Sequence, residues 1–155
     1  MQRTCTLEKL DTSNVSDVAG VLGLCIEYSM LEKNHAQYKI DPIFFNERLI
    51  EIADDEYYLV LLAKKDDLVV GVLIAYIAQF IWSRTYIAQD LVFFIQPNHR
   101  SMASEMIRGY EDWARSNSVT EAALSCMSGL LEDKVVKFYK LHGYKEVGSV
   151  TRKEL

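Results

Sequence analysis

The chain has 155 residues, half of them apolar and a quarter charged, with seven glycines and two prolines; this excludes a low-complexity chain and suits one ordinary domain burying roughly 70% of its unfolded surface. Its 22 acids against 17 bases give a net charge of −5, and no Lys/Arg block exceeds a pair, so nucleic acid is a poor partner while a small cation or amine is acceptable. Cys5, Cys25 and Cys126 are odd in number, isolated and without metal-ligand spacing, which fits a reducing compartment and no metal.

MQRTCTLEKLD at the start has no apolar segment of signal-peptide length, so the cytoplasm is the expected location. TCTLEKL (4–10) reads as a short edge strand. In DTSNVSDVAGVLGLCIEYSM (11–30), Asp11, Ser13, Asn14 or Ser16 could cap a helix whose apolar stripe is Val18, Val21, Leu22, Cys25 and Met30. A polar loop follows. Asp41-Pro42 then opens a second helix with Ile43, Phe44, Leu49 and Ile50 on its apolar side.

YYLVLLA (57–63), a KKDD turn, LVVGVLIAYIAQFIW (68–82) and, after SRT, YIAQDLVFFI (86–95) form a meander of three strands. The longest of these apolar runs is shorter than the roughly 18 residues of a membrane span, so no membrane partner is expected. SMASEMIRGYEDWARSN (101–117) places Ala103, Met106, Ile107, Tyr110, Trp113 and Ala114 on one helical stripe, and EAALSCM (121–127) returns as a parallel strand. LEDKVVKFYKLHG makes a last helix closed by Gly143, and YKEVGSVTRKEL reads as a terminal strand. The expected fold is therefore α/β in the order β α α β β β α β α β: a single domain over 1–155, a mixed sheet with helices on both faces. Its exposed strand edges admit a homodimer.

Three features could carry chemistry. QPNHRSMASEMI (96–107) joins a strand to a helix starting near Ser101, where unpaired main-chain N–H groups and the helix dipole suit an anion and Arg100 adds a guanidinium; it is equally an ordinary capped helix. Asp90 lies in an otherwise apolar strand, either facing solvent or in a site whose burial raises its pKa. Simple alternation puts Asp90, Val92 and Phe94 on one face and Leu91, Phe93 and Ile95 on the other. Tyr139, in KFYKLHGY, is either a core ring with its hydroxyl on any convenient partner or a proton donor.

Together these residues resemble the GNAT superfamily of acyl-CoA-dependent N-acyltransferases. FYKLHGY is similar to the family's late-helix pattern F/L-Y-x-x-x-G-F/Y, with Phe138, Tyr139, Gly143 and Tyr144 in place. DLVFFIQPNHRSMASEMI is similar to its central strand running into the pyrophosphate helix. The usual Q/R-x-x-G-x-G/A loop is matched by Asn98, Ser101 and Ala103, of which only Ala103 agrees.

The resemblance implies acetyl-CoA as donor substrate and an amine as acceptor. Main-chain groups of Phe93, Phe94 and Ile95 would pair with the pantetheine arm, and Arg100, Ser101, Met102, Ala103 and Ser104 would hold the pyrophosphate. It also implies Tyr139 as the acid protonating the thiolate and Asp90 as base. Glu27, Tyr28 and Glu32, with Asp41, would receive a cationic acceptor. Glu132 stands where the family often keeps an asparagine. Two other readings remain open: a GNAT-like binding or regulatory domain whose glycine-free loop no longer holds CoA, and an unrelated α/β interaction protein.

Overall fold

The computed structural model describes residues 5–34 and 38–155; Thr4 of the expected first strand and part of the polar loop after the first helix lie outside them. In chain order the elements are β1 (Cys5–Lys9), α1 (Val15–Leu31), α2 (Pro42–Ala53), β2 (Tyr58–Lys65), β3 (Leu68–Gln79), β4 (Tyr86–Ile95), a 3-10 turn over Pro97–Met102, α3 (Ala103–Ser116), β5 (Glu121–Ala123) and α4 (Glu132–Leu141). This is the expected order up to the last helix.

The sheet follows the sequence order β1-β2-β3-β4-β5, antiparallel except for the parallel β4–β5 pair. Period-two alternation of β2 and β3 explains both layers. Leu59, Leu61, Ala63, Leu73 and Ala75 face α3, where Met106, Tyr110 and Trp113 meet them. Val60, Leu62, Val72 and Ile74 face α1 and α2, against Val21, Leu24, Leu49 and Ile52. Each such side chain, fully buried, contributes roughly 1.5–3 kcal/mol. Lys64 falls on the α1 face too, and its buried ammonium reaches the buried Asp17 carboxylate at 3.0 Å.

Helix starts follow the capping residues. Asn14 accepts from the Asp17 N–H and starts α1; Asp41 accepts from Ile43 and Phe44 N–H ahead of Pro42 and starts α2. The apolar stripes differ from the expected ones. Leu24 replaces Met30, which is 80% exposed, and α2 rests on Leu49 and Ile52 while Ile43, Phe44 and Ile50 are exposed. Both shifts arise because the face a helix buries is set by its crossing of the sheet, which apolar spacing alone leaves ambiguous.

Three strand expectations are corrected. The third strand stops at Gln79, and Ile81 and Trp82 sit exposed at the β3–β4 hairpin tip beyond the last rung. β5 holds three residues, not seven. Residues 144–155 form no strand, and Val147 and Val150 are exposed: apolar residues three apart do not line one face of a strand, and a three-residue edge offers little ladder to extend.

Candidate active site

The site originates in a single extra residue. β3 pairs with β4 in register from Gln79↔Tyr86 to Ala75↔Asp90, then continues at Ile74↔Val92, leaving Leu91 as a bulge. The bulge reverses the alternation that the sequence implied. Asp90 sits opposite Ala75, on the α3 face with Ala88, whereas Val92 and Phe94 turn to the α1 face and Phe93 and Ile95 to the α3 face. Asp90 is thus buried, but with different neighbours from those expected.

Immediately beyond Asp90 the sheet opens. β5 runs beside β4 only from Ile87↔Glu121 to Gln89↔Ala123. Side chains take the groups that would carry the ladder further. The Tyr110 hydroxyl donates to the Ala123 carbonyl at 2.8 Å, and the Ser125 N–H donates to Asp90 Oδ1 at 2.7 Å. With those groups engaged the two strands part, and among the described residues the second half of β4 has a strand partner on one side only, β3.

At this gap Asp90, Tyr139 and Cys126 influence one another's titration. Asp90 is 6% exposed; besides the Ser125 amide it accepts from Ser125 Oγ at 3.1 Å and from Gln89 Nε2 at 2.8 Å. Burial lifts its carboxyl to about 6, while the Ser125 and Gln89 hydrogen bonds favour the anion and restrain the rise. α4 brings Tyr139 to the same place. Its ring lies parallel to Phe93 with centroids 6.4 Å apart, and it is buried. Burial first, then the charge of Asp90, hold its phenol well above the usual range. Cys126 follows Ser125, and burial with the Asp90 charge pushes its thiol up to about 11, so it is no thiolate at neutral pH.

On the opposite face Tyr28, in the last turns of α1, packs its ring 5.4 Å from Phe94. Burial raises its phenol, a Ser128 side-chain hydrogen bond counteracts, and the charges of Glu32 and Asp90 add to the rise. Glu27 accepts from Gln96 Nε2 at 3.1 Å, the buried Glu32 accepts from the Asn34 N–H, and Asp41 caps α2. A seam holds this side: the Lys33 N–H donates to Ser128 O and Asn34 Nδ2 to Met127 O. Glu132 accepts from the Gly129 N–H at 3.0 Å. Gly129 has φ +74, and a Cβ there would stand 3.1 Å from Lys33 Cβ, so this turn requires glycine.

The glycine-free loop differs from its expectation. α3 begins at Ala103, within two residues of the expected Ser101, but a 3-10 turn that starts at Pro97 runs directly into it. Its amides are largely spent inside the turn, with the His99 N–H on Gln96 O and the Ala103 N–H on Arg100 O. Proline at the first position and no glycine to interrupt the αR torsions let the turn start early. Arg100 and Ser101 are exposed, Met102 is buried in the core, and Ser104 Oγ lies 3.1 Å from His142 Nε2.

The structure therefore gathers Asp90, Tyr139, Phe93, Phe94 and Tyr28 around the open half of β4, and sets Arg100, Ser101 and Ser104 at the start of the following helix. Sequence reasoning missed the Leu91 bulge, Ser125 and His142. The adjacent polar pair Gln89-Asp90 in an apolar strand was the available signal for a side-chain network.

A family model described as Acetyltransferase (GNAT) family matches residues 21–144. No curated protein matches by sequence. Solved structures of the same fold include a ribosomal-protein-alanine N-acetyltransferase from Brucella melitensis biovar Abortus 2308, 19% identical with TM-score 0.76 over 98% of this chain and 99% of that one. An aminoglycoside acetyltransferase from an uncultured soil metagenomic sample, in complex with sisomicin, is 14% identical with TM-score 0.75 over 97% and 96%. Glucosamine-6-phosphate N-acetyltransferase from Arabidopsis thaliana is 15% identical with TM-score 0.73 over 97% and 98%.

Proposed function

The chain belongs to the GNAT acetyltransferase family, and on that premise we propose that residues 1–155 act as one N-acetyltransferase domain that moves the acetyl group of acetyl-CoA directly to a primary amine of a small molecule or a protein. The observation that supports this most is the meeting of Asp90 and Tyr139 at the place where β4 loses β5. A strand edge without a ladder partner offers amides and carbonyls to an extended pantetheine arm; Phe93 and Ile95 turn theirs to it, and one of their N–H groups is assigned to polarise the thioester carbonyl. Phe94, opposite Val72 and in phase with the Gln96 N–H that donates to Val70 O, spends its amide on β3 instead.

The roles follow from protonation. A free amine with a pKa near 10.4 is mostly protonated at pH 7, and releasing the base form costs about 4–5 kcal/mol. Asp90, with its carboxyl at about 6, is ionised at pH 7 yet a stronger base than an exposed carboxylate, and it accepts the amine's proton through a bridging water as the C–N bond forms. The C–S bond breaks, and Tyr139 gives its proton to the departing thiolate. The desolvation that raises the phenol raises a thiolate in the same place, which keeps the transfer close to balanced. The high Cys126 and Cys25 thiols, at about 11 and about 12, favour direct transfer over an acyl-cysteine relay.

Arg100, Ser101, Met102, Ala103 and Ser104 are assigned to the donor's pyrophosphate, and Glu27, Tyr28 and Glu32 to the wall that an acceptor cation approaches. The working location is taken as the cytoplasm; among the described residues no helix is long and apolar enough to cross a membrane. Isothermal titration with acetyl-CoA, followed by thiol release across a panel of amines, tests the reading. Binding with amine-dependent CoA release is expected. Absence of heat at millimolar acetyl-CoA would overturn it and leave the GNAT-fold binding domain.

A further inference from the structure

We propose that His142 is a donor-binding residue whose imidazole exchanges the Ser104 hydroxyl for a phosphate oxygen of the acetyl donor; this rests on the acetyl-CoA reading above. His142 follows the last turn of α4, and its Nε2 lies 3.1 Å from Ser104 Oγ in the first turn of α3, tying together two helices 38 residues apart in the chain. The Phe138 ring meets the imidazole edge-on at 4.8 Å, which fixes the ring and directs Nε2 towards α3. The same helix presses Tyr139 against Phe93 of β4. α4 thus faces the donor groove at two heights: the phenol at the strand and the imidazole at the helix start beyond it.

The need for such a group follows from the loop. Where the 3-10 turn has spent the His99 and Ala103 amides on Gln96 and Arg100 carbonyls, fewer main-chain donors face an anion than in an open glycine loop. Side chains must supply the difference. Arg100 is exposed in the turn, and His142 stands against Ser104 in the helix that follows it. An imidazole with its proton on Nε2 donates one strong hydrogen bond to a phosphate oxygen. A hydroxyl is a weaker acceptor than a phosphate oxygen, so an arriving donor displaces Ser104 and keeps the imidazole.

The test compares acetyl-CoA with S-acetylpantetheine, a donor of the same thioester without phosphate. His142→Ala is expected to raise the KM for acetyl-CoA roughly 10- to 100-fold with little change in kcat, the size of a lost charge-assisted hydrogen bond. With S-acetylpantetheine the same variant should match wild type. His142→Gln, which keeps an N–H donor, should recover part of the acetyl-CoA affinity. Unchanged acetyl-CoA affinity in His142→Ala, or an equal loss with both donors, would assign His142 to packing and overturn the proposal. If wild type bound no acetyl-CoA, the acetyltransferase reading would fall, and this inference with it; wild-type binding with an indifferent His142 sinks the inference alone. Thermal melts of both variants establish that they are folded.

Discussion

The two borders of β4 teach different lessons. Along β3 it pairs over nearly its whole length, between residues buried on both faces; along β5 it pairs over three residues and then faces side chains. The first border is where apolar burial and ladder hydrogen bonds agree. On the second, Asp90 and Tyr110 take groups that a continuing ladder would use, and a buried carboxyl is held at about 6. Ladder pairing is concentrated on one side and the residues assigned to chemistry on the other, the pattern expected where a proposed site breaks local rules that its surroundings enforce.

Four substitutions sharpen or break this contrast. On the stable side, Leu62→Ala removes a side chain with 0% exposure and should cost about 3–4 kcal/mol in chemical denaturation. On the open side, Tyr139→Phe should leave stability within about 1 kcal/mol while lowering kcat roughly 100-fold, equivalent to about 2.7 kcal/mol. A Tyr139→Phe enzyme reacting at full rate would dismiss the phenol as the acid.

Asp90→Asn should separate the two properties. Its carboxamide can keep all three partners, with the oxygen accepting from Ser125 N–H and Gln89 and the nitrogen donating to Ser125 Oγ. The wild-type folded pKa of about 6 lies above the ordinary 3.8, so between these values the folded chain binds more protons than the unfolded one. The contribution of the neutral carboxyl is present below about pH 4 and lost as pH rises through 6, in all about 3 kcal/mol. The asparagine variant should therefore be about 1–3 kcal/mol more stable than wild type at pH 8 and alike at pH 4, measured by urea melts. Activity runs the opposite way: wild-type kcat/KM should rise through pH 6 as the base ionises, and the variant should lose both rate and that limb.

The smallest effect concerns Leu131, an exposed leucine held at φ +48 ahead of α4. Leucine resists left-handed torsions, so Leu131→Gly should stabilise by less than about 1 kcal/mol. If it destabilises, the side chain rather than the torsion matters at the entry to this helix.

Much of the fold was legible because the chain's local signals are strong. Asn14 and Asp41 cap helices, β2 and β3 alternate cleanly between two layers, and Gly143 adopts φ +86 where α4 ends. The terminal strand and the length of β5 were not legible, because a strand exists only where a neighbouring edge receives it. Asp90 and Tyr139 were each visible as an odd residue in its element, but their neighbours were not.

Residue types, spacing and caps thus determined by themselves the order of elements up to the last helix, the two apolar layers and the resemblance to an acyltransferase family, because these depend on interactions within a few residues of chain. Only the tertiary structure decided that Leu91 bulges and reverses the faces of β4, that Ser125 crosses to cap Asp90, and that His142 reaches Ser104. Each of these joins segments far apart in sequence, and their pairing is settled by the packing of the whole sheet.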